Sequence, residues 1–510
     1  MKKTVLESQY GKGTAMQMKI KFCDLPCYEK ADTAEGTLAY KVRNHCFHID
    51  KLPTDGLQKE FHSFVMERGN TITVLSLRSD LAQYNVVCKF LSERYPELNS
   101  LMDVQLETLI REMKKWLLKS GKALTSRKVC KRLGRDEQQE NVNVRYLKQV
   151  YEFLVPEDNR PEREKDIWRL DGLGLDLIDN PILGTATLNF TKIIQDTIKQ
   201  EVKDAAYMEL MTRSVGTVQA ELVAINRFSA FLADNFIEVK SLADVDRDMV
   251  ESYLIYLNTE ATERQSFRSD VFHLKSVMDL VGRMIERPEI CNLFLLSDIP
   301  KQAEKLYKSY SDAELTRLNK AIVDADVQVA RALILHQMLG TRISDTLTLL
   351  QDCVYEKDGK MMVKIFQVKS RRSYRKTINE EIHSLIWASI EYTKEHIPDS
   401  QYVFAHEKYV DRPMSYAKIQ YQLMALIHEN DLRDDNGELF GVGTHLFRHT
   451  YGRKLTEMHV DDTTIAKLLG HANNSSVKYY RKMSNNQLAV ETRDMRNSMD
   501  EILQNLIKGW

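Results

Sequence analysis

Four separated stretches of the 510-residue chain carry side chains suited to gripping and transferring a phosphate. The first is Ala332–Leu350, whose apolar run stops at Gly340, a natural left-handed helix cap, before a new helix at Thr341. Arg342 thus stands at a junction, where a guanidinium offers its fork of donors to two phosphate oxygens. Asp345 beside it offers the alternative of a structural ion pair. The second stretch is a turn between a strand at Met361–Val368 and a hairpin partner at Arg375–Ile378. Seven basic residues and no acidic one lie from Lys360 to Lys376, a patch for phosphates or, alternatively, a charged sheet edge. Lys369 sits where the first strand ends. In the third, Thr444–Thr450, Thr444 caps a helix that sets His445 and Arg448 on one face, with Leu446, Phe447 and Leu455 toward the core. In the fourth, Val460–Met483, Asp461 or Asp462 starts a short helix, Ile465, Leu468 and Leu469 bury it, and Gly470 ends it ahead of His471. Ser475 or Ser476 then caps another helix whose first turns hold Tyr479 and Tyr480, where amide donors favour a phosphate. Read alone, that tyrosine pair means half-buried packing.

In this order the four elements resemble the tyrosine recombinase (phage integrase) family. Gly340-Thr341-Arg342-Ile343-Ser344-Asp345 is similar to its first-arginine motif, and Lys369-Ser370 resembles its β-hairpin lysine. His445 and Arg448 match its His-x-x-Arg box, and Leu469-Gly470-His471 with Tyr480 nine positions on matches its histidine-to-nucleophile spacing. The resemblance covers roughly Ser311–Asn486. Residues 206–300 also resemble the family's helical core-binding domain, and residues 1–200 the long N-terminal extensions of some integrases and transposases of bacterial mobile elements.

The resemblance implies a site-specific recombinase that cleaves and rejoins DNA through a 3′-phosphotyrosine, with no cofactor, metal or ATP. Tyr480 is then the nucleophile, with Tyr479 as its rival. Arg342 and Arg448 clamp the non-bridging oxygens, and Lys369 is the general acid. His445 and His471 accept the tyrosine proton or hydrogen-bond the phosphate, while Asp345 orients Arg342. Arg371, Arg372, Arg375 and Lys376 are expected on the DNA backbone. The implied partners are double-stranded DNA with specific recombination sites, a homotetramer on that DNA and accessory proteins, in a bacterial cytoplasm. A type IB-like topoisomerase acting as a monomer and a DNA-binding regulator that has lost catalysis are the competing readings.

The elements that must position these residues are mostly helical. Val218, Leu222, Ile225, Phe228, Phe231 and Leu232 recur at steps of three and four, and Asp246–Leu257 reads as a second helix. Residues 81–104 repeat at 222–245 without a gap, and both copies end in Ser-Leu-x-Asp-Val, a shared turn and cap that periodicity alone does not dictate. The expected fold is mainly α with a small β-sheet, its helical N-terminal and core-binding domains preceding a mixed α+β catalytic domain. The expected divisions are an N-terminal segment (1–60), a helical module with linker (61–200), a core-binding domain (201–300), a catalytic domain (301–486) and a C-terminal helix (487–510). That last helix carries an apolar stripe from Met495 to Leu506, suited to exchange with a neighbouring protomer or to docking on its own domain.

Composition sets the outer limits. Lys plus Arg number 72 and Asp plus Glu 73, a net charge of −1, so any pull toward nucleic acid is local. Seven cysteines without a recognisable secretory signal suggest reduced thiols. Cys23, Cys27, Cys46 and His48 lack the common zinc-knuckle spacing and read as free or buried thiols, with a metal site as the alternative. No apolar run approaches the roughly 20 residues of a membrane span.

Overall fold

The computed structural model describes residues 18–260, 266–301, 309–441, 443–471, 473, 474, 477 and 480. The chain divides into two compact units, Met1–Asn159 and Arg160–Trp510. The C-terminal stripe, Tyr479, Ser475 and Ser476 lie outside the described residues. Among those described, no helix is long and apolar enough to cross a membrane. Cys23, Cys27 and Cys46 are free thiols, and no three metal-ligating side chains come together among the described residues.

In the first unit, strand β1 (Lys19–Lys21) pairs antiparallel with β2 (Cys46–His48), setting Ile20 against Phe47. Three helices follow: α1 (Asp55–Thr71), α2 (Val74–Arg94) and α3 (Leu106–Lys119). The Thr54 and Thr73 hydroxyls cap the first two, accepting from Leu57 N and Ser76 N. On α3 the buried Leu109, Met113, Trp116 and Leu117 follow helical spacing. A ribbon of β3 (Thr125–Cys130) and β4 (Arg135–Glu140) then leads to α4 (Val142–Leu154).

The second unit opens with the same order of elements. Strands β5 (Ile167–Arg169) and β6 (Thr187–Asn189) precede α5 (Asp196–Leu210), α6 (Val215–Asn235), α7 (Arg247–Thr259) and α8 (Arg268–Met284). A shift of 141 carries α2 onto α6 end for end, β2 onto β6, and the start of α1 onto the start of α5. It also explains the repeated Ser-Leu-x-Asp-Val. Ser100 and Ser241 each begin a 3-10 turn with a reciprocal Asp box, and each donates its hydroxyl to a glutamate, Glu60 or Glu201. The same carboxylates accept from Leu101 N (3.1 Å) and Leu242 N (2.9 Å).

The expected division at residue 200 is corrected to one near residue 160. Trp168, Leu188 and Phe190, delivered by the β5–β6 hairpin, pack into one core with Ile225, Phe228, Tyr253 and Leu274. The long α5 therefore begins inside this domain rather than closing the previous one.

A separate core, built on Leu333, Leu339, Ile365, Phe404, Leu423 and Phe447, holds the rest. Its elements are α9 (Asp312–Ile322), α10 (Val327–Leu339), α11 (Ile343–Leu347), β7 (Val354–Lys357), β8 (Lys360–Gln367), β9 (Arg372–Thr377), α12 (Glu380–His396), α13 (Tyr416–Glu429) and α14 (His445–Glu457), while α15 (Asp462–Leu469) packs Ile465, Ala466 and Leu469 in a smaller cluster with Val477 and Tyr480. The strands form an antiparallel sheet in the order β7-β8-β9, with Gln367 opposite Arg372. β9 thus starts three residues before the expected Arg375, leaving a tight turn at residues 368–371. Strand β7 was not expected; the Asp358-Gly359 pair joining it to β8, both at positive φ, is the local signal for that hairpin. The loop between β5 and β6 reaches this second core, where Ile182 is buried and its carbonyl accepts from Tyr416 N at 2.9 Å.

Candidate active site

Gly340 ends α10 in the left-handed conformation (φ 63°), and a Cβ there would lie 2.3 Å from the Tyr451 ring. Only glycine meets both demands. The chain then extends through Arg342, the residue before α11. Arg342 Nη1 lies 3.6 Å from Asp345 Oδ2, too far for a hydrogen bond, and neither atom has a hydrogen-bond partner among the described residues. Asp345 is fully buried; its other oxygen accepts from Val368 N and the Ser344 hydroxyl. Burial raises its pKa, opposed by the nearby Arg342 charge. The carboxylate therefore ties the hairpin end to Arg342 and leaves the guanidinium with donors to spare.

Arg448 on α14 is 1% exposed. It donates from Nη1 to Gly340 O and from Nη2 to Leu469 O, each at 2.8 Å, so it joins the ends of α10 and α15. Its Nη2 is also 3.2 Å from His471 Nε2, and it interacts with the Tyr480 hydroxyl. Burial lowers its pKa from the ordinary arginine value, yet such a group stays charged in water. His471 follows Gly470 (φ 67°), where a Cβ would strike Gln367 Nε2 at 2.3 Å. Its amide closes the helix end by donating to Ala466 O.

Three imidazoles gather here. The His449 ring faces His445 at 5.3 Å and Tyr480 at 5.8 Å, while His471 is 6.2 Å from Tyr480 between centroids. Desolvation first, then nearby positive charge, depresses all three: His449 and His471 to about 4, His445 in the same direction. All are neutral at pH 7. Tyr480 is 8% exposed, packed against Gly452, where a side chain would collide with its ring at 2.7 Å.

Lys369 is exposed in the β8–β9 turn and, like Arg342, borders two adjoining clefts. One, of about 620 Å³, also takes in Arg372, Arg375, Lys467 and His471. The other, of about 510 Å³, reaches His445 and the Ile178–Thr185 loop. Arg371 instead faces a third cleft with Phe366 and Tyr402. Arg342, Arg448, His445, His471, Lys369 and Tyr480 thus converge.

Two expectations are corrected. Lys376 does not face solvent for a DNA backbone. Alternation along β9 turns it inward, 7% exposed, and its ammonium donates to Leu339 O (2.6 Å) and Tyr451 Oη (3.3 Å). Burial, then the Arg448 charge, lowers it to about 8. Thr444 occupies the cap position of α14, but its hydroxyl makes no capping bond, and its carbonyl pairs with His336 Nε2 at 2.9 Å. Sequence reasoning missed His449, Gln367, Tyr374, Lys467 and His336. Of these only His449 carried a signal, as the histidine one turn after His445.

Residues 308–487 match the Phage integrase family. Transposase B from transposon Tn554 of Staphylococcus aureus is 24% identical over 444 residues, covering 82% of this chain and 70% of that protein. Transposase B from PsiTn554 of the same organism is 26% identical over 419 residues, 80% and 65% of the two chains. Tyrosine recombinase XerC of Lacticaseibacillus casei is 26% identical over 54% of this chain and 90% of its own. Among solved structures, the XerH site-specific recombinase bound to a palindromic difH substrate aligns with 59% of this chain and 91% of its own, at TM-score 0.45 and 16% identity. The matched segment contains every residue of the converging cluster, so the likeness to the phage integrase family falls on the part of the chain that holds the candidate site.

Proposed function

We propose that the chain cleaves and rejoins double-stranded DNA at specific sites, as the integrase or transposase of a mobile element, through a 3′-phosphotyrosine at Tyr480. The observation that carries this is the convergence of two guanidinium groups, neutral imidazoles and one tyrosine beside a cleft reached by Lys369. The relatives named transposase B align over most of the chain, which favours recombination over supercoil relaxation.

The Tyr480 oxygen forms the new bond to phosphorus, and the bond from phosphorus to the 5′-oxygen breaks. Lys369 supplies the proton that leaves with the 5′-hydroxyl, and a neutral imidazole, His445 or His471, takes the phenolic proton. Both histidines are held neutral by burial and by neighbouring cations; a bound phosphate opposes those cations and raises imidazole basicity as substrate arrives. Arg342 and Arg448 hold the non-bridging oxygens and offset the charge growing on them, a load a metal carries in other phosphoryl transfers. The phosphotyrosine keeps the energy of the broken ester, so rejoining runs the same steps in reverse without ATP. Assembly of four protomers on two sites completes the proposal.

A nicked suicide duplex carrying the mobile element's end tests the reading. Covalent protein–DNA product is expected with the native chain, and Tyr480→Phe should bind the same duplex without forming it. Relaxation of plasmids lacking any such end would instead assign the protein to the topoisomerases, and site-specific binding with no adduct would make it a regulator.

A further inference from the structure

The two copies of the helical module differ in one connection. From α7 to α8 the chain needs eight residues (260–267), whereas from α3 to α4 it uses 22 (120–141). The excess is the β3–β4 ribbon. The same helices close without it in the second copy, so the fold does not require it. Nor does the ribbon bury a face: every residue of Thr125–Val129 and of Arg135–Gln138 is exposed. An isolated two-stranded ribbon is marginal in water, so an exposed one points to a ligand.

Charge says which ligand. From Lys119 to Arg135 there are seven basic residues and no acidic one, the same density as in the Lys360–Lys376 stretch beside the active site. The three carboxylates that follow lie on the return strand and are engaged there. Asp136 pairs with Arg127, Glu137 faces Arg135, and Glu140 takes Lys114 (2.9 Å) and Lys148 (2.7 Å). By sequence, Arg127–Glu137 holds five basic residues, Lys128, Lys131 and Arg132 among them, against two acidic ones, so the distal half is net positive. Glu140 and Asn141, whose amide donates to Leu124 O, fasten the base.

We propose that the β3–β4 ribbon is a second DNA contact, entering the major groove of a B-form duplex with its distal cations against the phosphates. A two-stranded ribbon fits that groove, about 12 Å wide, whereas the major groove of duplex RNA is too deep and narrow to admit it. The contact rests on ribbon geometry and charge, independently of the chemistry at Tyr480.

The test uses full-length Tyr480→Phe protein, so that only binding is read, with a 30-base-pair duplex as probe (about three helical turns). Combined Lys128→Glu, Lys131→Glu and Arg132→Glu should weaken binding at least about tenfold at 0.15 M salt. It should also flatten the slope of log affinity against log salt by about 2 to 3, one phosphate contact per cation. Replacing Arg127–Gln138 with Asn-Gly, which closes the ribbon between the facing Ser126 and Gln139, should do the same without a change in thermal unfolding. Duplex RNA affinity should move little. Unchanged DNA affinity and slope in both variants would overturn the proposal. So would equal losses on RNA and DNA, or a loss of self-association with DNA binding intact, which would make the ribbon a protein contact.

Discussion

Arg342 and Arg448 carry the same charge but differ in what holds them. Arg342 leans on Asp345 at 3.6 Å and keeps a donor without a hydrogen-bond partner among the described residues, so its main employment is the ligand. Arg448 also fastens the carbonyls of Gly340 and Leu469. Arg342→Ala should therefore slow strand cleavage by on the order of 10²-fold while leaving the urea midpoint nearly unchanged. Arg448→Ala should lose both, since two buried carbonyls are left without donors. A contrast emerges at β9: Arg375→Ala should lower the salt dependence of DNA binding, whereas Lys376→Met should lower stability and leave that slope alone. Gly470→Ala combines a left-handed backbone with a collision at Gln367. It should cost about 1 to 2 kcal/mol in backbone strain alone and displace His471, seen as a lower melting temperature together with lost cleavage.

At the scale of elements, the site is a meeting of helix ends: α10 and α15 stop at glycines, and α14 starts between them. His336 on α10 reads the start of α14 through Thr444 O. Burial depresses His336 to about 4, against about 6.5 in the unfolded chain. Between those values the unfolded state takes the proton first. The contribution is thus complete above pH 6.5 and is lost as pH falls toward 4, amounting to about 2 kcal/mol by pH 5. Urea titrations at pH 7 and pH 5 should show this loss, and His336→Gln, which can still donate to Thr444 O, should shrink it. The four motifs were legible because each depends on neighbours within a few residues: Gly340 before Arg342, Gly470 before His471, Lys369 at a strand end. The inward turn of Lys376 was not, because the register of β9 is set by β8 and its tight turn rather than by β9 itself. Nor were Gln367, Tyr374 and Tyr451, whose contacts come from elements 75 to 111 positions away.

Across the whole molecule, the duplication was only partly visible. The 141-residue shift could be read from Leu81 to Val104 because those helices and caps kept their residue types. The hairpins at the head of each copy share a pairing pattern but almost no side chains, with Phe47 against Ile20 in one and Leu188 against Trp168 in the other. Hence the misplaced division at residue 200. A fragment starting at Arg160 should fold with a cooperative transition. One starting at residue 206 loses Trp168, Leu188, Phe190, Ile198 and Val202 from the core and should expose apolar surface, measured as dye binding and loss of cooperativity.

The central claim concerns a single oxygen atom. Digesting the trapped protein–DNA product and sequencing the nucleotide-bearing peptide by mass spectrometry reads it directly. The account predicts the nucleotide on Tyr480. Attachment to Tyr479 or to any other side chain would contradict it.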